Sequence, residues 1–235
     1  MNDESDDRRK YIEQQSELFP EDFYIRGRGE AASAESTGGE VNREIPPYEP
    51  PESGILSDYE QQICECKRCP LGESRTKFVF GAGSPDADLL FVGEAPGHEE
   101  DMQGIPFVGR AGNLLEKILA AIDLTREQVY IANILKCRPP NNRDPNQEEI
   151  EACEPYLVEQ IKLIEPEVII ALGRVSATTL LNKSMALRDL RERTWNYHGT
   201  DLVATYHPAA LLRNANLKRP AWEDFQRIQA RYLQG

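Results

Sequence analysis

From Leu56 onward, short apolar runs alternate with segments whose apolar residues recur every three or four positions. Asp88 to Val92, Val129 to Leu135, Glu167 to Leu172 and Asp201 to Thr205 are brief, β-branched and bounded by turn formers, which predicts four buried strands. Between them, Arg110 to Ile122 sets Leu114, Leu115, Ile118, Leu119 and Ile122 on one helical face. Asn146 to Ile164 opens on an Asn cap with Glu149 three residues on, a capping-box arrangement, and turns Ile150, Tyr156, Leu157 and Ile161 inward. Val175 to Leu181 and Ala221 to Leu233 supply two more helices. Strand-helix alternation predicts an α/β fold: three layers, α/β/α, around a central, mostly parallel four-stranded sheet. Ligand sites in such sheets lie beyond the carboxyl ends of the strands. The chemically unusual residues of this chain fall at those ends.

Residues 1–55 break the pattern. Gly27 to Gly39 is rich in Gly, Ala, Ser and Glu, and Ile45 to Pro51 reads as a stiff polyproline-like spacer. A disordered acidic tail is therefore expected before a folded domain spanning 56–235. Within the tail, Gln15-Ser16-Glu17-Leu18-Phe19 resembles the pentapeptide with which bacterial repair proteins dock on the sliding clamp. The opening Met1-Asn2-Asp3-Glu4-Ser5-Asp6-Asp7 is not a signal peptide, and the longest aliphatic run, Val168 to Leu172, is too short to span a bilayer. The expected location is cytoplasmic, where clustered cysteines more often bind metal than form disulfides.

The net charge of −13 argues against a nucleic-acid partner only until its distribution is considered. Residues 1–55 carry 14 acidic and 6 basic side chains, the remainder 26 and 21. Lys136, Arg138 and Arg143 flank one strand end, and Arg213, Lys218 and Arg219 follow another. Phosphate binding needs such a local patch, not a basic total.

Four cysteines form two separated pairs, Cys66-x2-Cys69 and Cys137-x15-Cys153, with Cys64 as a fifth. All-thiolate ligation suits zinc or an iron–sulfur cluster. The first strand runs into Gly93-Glu94-Ala95-Pro96-Gly97, then Gly104 to Gly112, which is neither a dinucleotide fingerprint nor a Walker sequence. Asn133 lies inside Ile131-Ala132-Asn133-Ile134-Leu135, so its amide is expected to be buried and to need partners. A fixed amide donates and accepts at once, as the edge of a nucleobase requires. His207 ends the last strand and is held by Pro208.

In order, these segments closely resemble the family 4 uracil-DNA glycosylases, the iron–sulfur branch of that superfamily. The resemblance covers about Cys64 to Trp222 and rests on several pieces. They are Gly93-Glu94-Ala95-Pro96-Gly97 with Glu100-Asp101, Pro106-Phe107-Val108-Gly109-Arg110-Ala111-Gly112, Asn133 with Lys136-Cys137-Arg138-Pro139-Pro140, and Tyr206-His207-Pro208. It implies hydrolysis of the N-glycosidic bond of uracil in DNA, with Glu94 and His207 catalytic. Gly93, Glu94, Ala95, Phe107, Asn133 and His207 would surround the base, and Glu100 would exclude the thymine methyl or order water. It implies a [4Fe–4S] cluster on Cys66, Cys69, Cys137 and Cys153, leaving Cys64 spare. Arg138, Arg143, Leu212, Arg213 and Lys218 would meet DNA, Leu211 would be either a second wedge beside Leu212 or ordinary packing at a helix start, and the protein would act as a monomer. The competing expectation is a metal-stabilised, non-catalytic nucleic-acid-binding module.

Overall fold

Buried apolar runs become strands here because the sheet is covered on both faces. The computed structural model describes residues 55–233. Its strands are β1 (Ala82–Gly83), β2 (Leu89–Gly93), β3 (Tyr130–Asn133), β4 (Val168–Leu172), β5 (Trp195–Tyr197) and β6 (Thr200–Thr205). Its α-helices are α1 (Ile55–Ile63), α2 (Leu71–Ser74), α3 (His98–Gln103), α4 (Arg110–Ala121), α5 (Gln147–Ile164), α6 (Arg174–Leu181), α7 (Leu187–Leu190), α8 (Pro208–Arg213) and α9 (Lys218–Tyr232). Every residue of β2, β3 and β4 is buried, as a doubly covered parallel sheet requires.

The sheet order is β1-β3-β2-β4-β6-β5. The inner four strands are parallel and are the four expected from the pattern. The expected strand count of four is corrected to six, because β1 and β5 add short antiparallel edges. Both are too brief to leave a periodic signal. β5 joins β6 through His198 and Gly199, both at positive φ (50° and 98°), a two-residue hairpin turn.

Alternation along the strands divides the core. Leu90, Val92, Ala132, Ile169 and Ala171 face a cluster that includes Leu56, Ile150, Leu157, Ile161 and Leu180 from α1, α5 and α6. On the opposite face Phe91 stacks on Phe225 of α9, with ring centroids 6.3 Å apart. The capping box of α5 forms as expected, Glu149 accepting the Asn146 N–H at 2.8 Å. Among the described residues no helix is long and apolar enough to cross a membrane. The tail and its Gln15–Phe19 motif lie outside the described residues.

Because β2 was followed first by β3 on one side and then by β4 on the other, the chain reverses its winding direction at β2. A crevice opens outside the carboxyl ends at such a switch point. Truncating Phe225 to Ala, which removes one face of this core, should lower stability by about 3–5 kcal/mol in urea denaturation. A loss under about 1 kcal/mol would contradict the packing described.

Candidate active site and metal centre

At the carboxyl end of β2, Gly93 stands opposite Asn133 of β3 in register. A Cβ on Gly93 would lie 2.3 Å from Asn133 Oδ1 and 2.8 Å from the Phe107 ring. The absence of a side chain therefore lets an amide and an aromatic ring converge on one point. Asn133 is 2 % exposed, and its Oδ1 is buried without a hydrogen-bond partner. An unmet acceptor of this kind costs about 1–3 kcal/mol, so its retention calls for an explanation.

Phe107 is buried, and its ring centroid lies 5.4 Å from that of His207. Gly173, just beyond β4, is at φ 92°, and a Cβ there would sit 2.9 Å from His207 Cβ. His207 caps α8: its Nδ1 accepts the Ala209 N–H at 3.1 Å. In the neutral ring the proton must then reside on Nε2. Burial, with Arg213 adding to it, pushes the His207 pKa down to about 4. The imidazole is thus a neutral Nε2–H donor around neutral pH.

Glu94 follows Gly93 and shares a cavity of about 380 Å³ with Asn133, Phe107 and His207. Burial, reinforced by the Asp144 carboxylate and opposed by Arg174, raises its pKa to about 7. Neither Asp144 nor Arg174 carries a sequence signal for this role. Both lie far from Glu94 along the chain, and each resembles an ordinary turn or helix-end charge. Of the expected base-surrounding residues, Glu94, Ala95, Phe107, Asn133 and His207 line this cavity, and Gly93 lies against Asn133 and Phe107 beneath it.

Glu100 lines the same cavity and also braces the backbone around it. Its Oε2 accepts the Gly97 N–H at 3.1 Å, and its Oε1 accepts the Val108 and Gly109 N–H groups at 3.0 Å each. The carboxylate ties the Gly93–Gly97 turn to the segment bearing Phe107.

The basic residues divide. Arg143 and Arg213 line the cavity mouth, and Arg213 is exposed. Arg143 is held by Glu149 at 2.6 and 2.9 Å, while Arg138 contacts Asn142 at 2.7 Å and His98 at 3.1 Å. Leu212 is half-buried and Leu211 fully buried, so Leu211 is packing. Lys218, expected to meet DNA, is only 4 % exposed in this structure. Lys136 likewise leaves the basic patch. It is fully buried, its Nζ donating to the Asn133 carbonyl at 2.8 Å and to Gln160 Oε1 at 2.5 Å.

Matched against protein families, residues 80–226 fit the model of the Uracil DNA glycosylase superfamily. The chain belongs to that superfamily. It is 45 % identical over 186 residues to a type-4 uracil-DNA glycosylase of Archaeoglobus fulgidus, covering 74 % of this chain and 91 % of that protein. It is 44 % identical over 183 residues to the type-4 enzyme of Sulfurisphaera tokodaii, covering 74 % and 83 %. A third type-4 relative, from Thermotoga maritima, is 42 % identical over 180 residues, covering 75 % and 94 %. These relatives put the chain in the type-4 branch.

The cysteines gather behind this site. Cys66 and Cys69 lie between α1 and α2, Cys137 follows β3, and Cys153 sits in α5. The Cys137 thiol feels Cys66 and Cys69, and the Cys153 thiol feels Cys69 and Cys137. Cys64 is turned aside, its thiol donating to the Gln61 carbonyl at 3.4 Å. Donors surround the sulfurs: Tyr156 Oη reaches Cys66 Sγ at 3.1 Å, Lys136 N reaches Cys153 Sγ at 3.3 Å, and Arg75 reaches Cys137 Sγ at 3.4 Å. Burial pushes the Cys153 thiol up to about 12. Among the described residues no three His, Cys, Asp or Glu side chains close around one ion.

The site's electrostatics predict that the His207 ring, followed by NMR, shows no titration near the ordinary value of 6.5. A midpoint there would contradict the neutral-donor assignment.

Proposed function

We propose that this protein is a DNA-repair glycosylase that hydrolyses the N-glycosidic bond of uracil in DNA, releasing uracil and leaving an abasic site. The observation that carries the reading is the unpartnered Asn133 Oδ1, buried in a cavity shared with Phe107, His207 and Glu94. Uracil offers an N3–H to that oxygen and an O4 to the amide nitrogen. Cytosine presents the opposite pattern, leaving the amide facing like against like. A site built on such a hydrogen bond rejects the wrong base far more strongly than shape alone can.

The base must leave the stack to reach the cavity, which costs a few kcal/mol and favours mispaired or single-stranded uracil. Phe107 stacks on the extruded ring, and the backbone of Gly93 and Ala95 borders it. As the C1′–N1 bond breaks, its electron pair stays on the base and negative charge grows at O2. His207 Nε2–H donates to that oxygen, a contribution typically worth about 2.7–4 kcal/mol of barrier. Being neutral, the ring can donate without handing over its proton. Water oxygen bonds to C1′ from the other side, and Glu94 takes the proton. A carboxylate with a pKa of about 7 is matched to that task near neutrality. Arg138, Arg143 and Arg213 grip phosphates, and Leu212 wedges into the gap left by the flipped nucleotide.

Cys66, Cys69, Cys137 and Cys153 would hold a [4Fe–4S] cluster. The donor set supports it: four cysteines from chain-distant segments, with hydrogen-bond donors directed at the sulfurs of Cys66, Cys137 and Cys153. Bound, the cluster supplies cross-linking between chain-distant segments, and hydrolysis requires no electron transfer. Lys136 joins the two regions, its amide on Cys153 and its ammonium on the Asn133 carbonyl.

Oligonucleotides carrying uracil should yield free base and abasic strand, whereas a non-catalytic binding module would retain DNA and release nothing. The rate constant kcat/KM should rise with pH through about 7, because only the ionised Glu94 accepts a proton, and Glu94→Gln should abolish that rise. A profile unchanged in Glu94→Gln would remove Glu94 from the mechanism. His207→Ala should slow release by roughly 10²–10³-fold; a loss under about twofold would exclude the leaving-group role. Purified protein should carry about four irons per chain with a broad visible absorption. Stoichiometric zinc without iron would refute the cluster.

A further inference from the structure

Phe107 is a bulky aromatic at φ 54°, a left-handed conformation that is strained outside glycine and persists only where its surroundings enforce it. The enforcement comes from two opposite charges. On one side, Arg126 projects from the turn preceding β3, Nη1 donating to the Phe107 carbonyl at 3.0 Å and Nη2 to the Pro106 carbonyl. On the other, Glu100 receives the next two amides, Val108 and Gly109, at 3.0 Å each. Successive peptide groups are therefore strung between a cation on their oxygens and an anion on their nitrogens. Glu116 of α4 pairs with Arg126 at 3.4 Å, the arginine side chain being only 12 % exposed. α4 also closes the remaining space, because a Cβ on Gly112 would come within 1.8 Å of the Phe107 oxygen.

Arg126 is absent from the lining of the cavity, whereas Phe107 lines it beside His207. Whatever Arg126 contributes to the reaction passes through the backbone it holds. We propose that Arg126 is a positioning residue for base stacking, locking the left-handed Phe107 so that its ring meets the extruded uracil. The proposal rests on the reading that Phe107 stacks on that base. It assigns function to a buried arginine that a purely structural role would leave unconnected to ligand affinity.

A double-mutant cycle tests it. Arg126→Met and Phe107→Ala are made singly and together, and affinity for free uracil is measured by calorimetry, with thermal denaturation as the check on folding. Arg126→Met should weaken uracil binding by roughly 10- to 100-fold when Phe107 is present. With Phe107→Ala already in place it should change affinity by less than about twofold, since the group it acts through is gone. Arg126→Lys, which keeps the charge and one donor, should recover part of the loss and serves the same cycle should the Met variant fail to fold. Equal losses in both backgrounds, or undiminished affinity in a folded Arg126→Met protein, would overturn the proposal while leaving the stacking reading intact. Unchanged affinity in Phe107→Ala alone would overturn the stacking reading and the proposal with it.

Discussion

Everything at the carboxyl end of this sheet turns on a steric vacancy at Gly93. Adjacent strands bring Gly93 and Asn133 into register, and any side chain on the first would collide with the amide of the second and with the Phe107 ring. Because nothing occupies that position, an acceptor, an aromatic face and an imidazole can be held around one small cavity. The surrounding elements fix each group in turn. Lys136 anchors the Asn133 carbonyl, Gly173 admits His207, and Arg126 with Glu100 braces Phe107.

Burial then sets the chemistry. The same loss of water drives the His207 pKa down to about 4 and that of Glu94 up to about 7. The two shifts have opposite sign because desolvation disfavours the charged form of each group. Above neutrality both are in the form the proposed reaction uses, a neutral donor and an ionised base. A neutral donor and an ionised base, their titrations moved in opposite directions by burial, let one cavity carry both roles near pH 7.

Much of this was legible in the chain. The four parallel strands were readable because a doubly buried strand leaves an uninterrupted aliphatic run, and the residues at their ends stood out against it. The two edge strands were not, since two and three residues cannot establish a period and the turn at His198–Gly199 is an unusual dipeptide for a tight hairpin. Charge was the least transferable signal. Lys136 and Lys218 read as part of a phosphate-binding patch, yet long aliphatic stems let both fold inward, and sequence carries no information on that direction. Arg126 and Asp144 escaped notice for the related reason that their partners are brought near only by the tertiary fold. The cysteine spacing left Cys64 as an alternative ligand; in the structure its thiol donates to the Gln61 carbonyl.

The account stands on the proposal that a buried amide chooses its base by matching donors and acceptors. Calorimetric titration of the intact protein with free uracil and with free cytosine tests this most directly, since neither sugar nor phosphate intervenes. Uracil should bind at least about 100-fold more tightly than cytosine, the difference arising from a buried polar group left unmatched. Equal affinity for the two bases would contradict it.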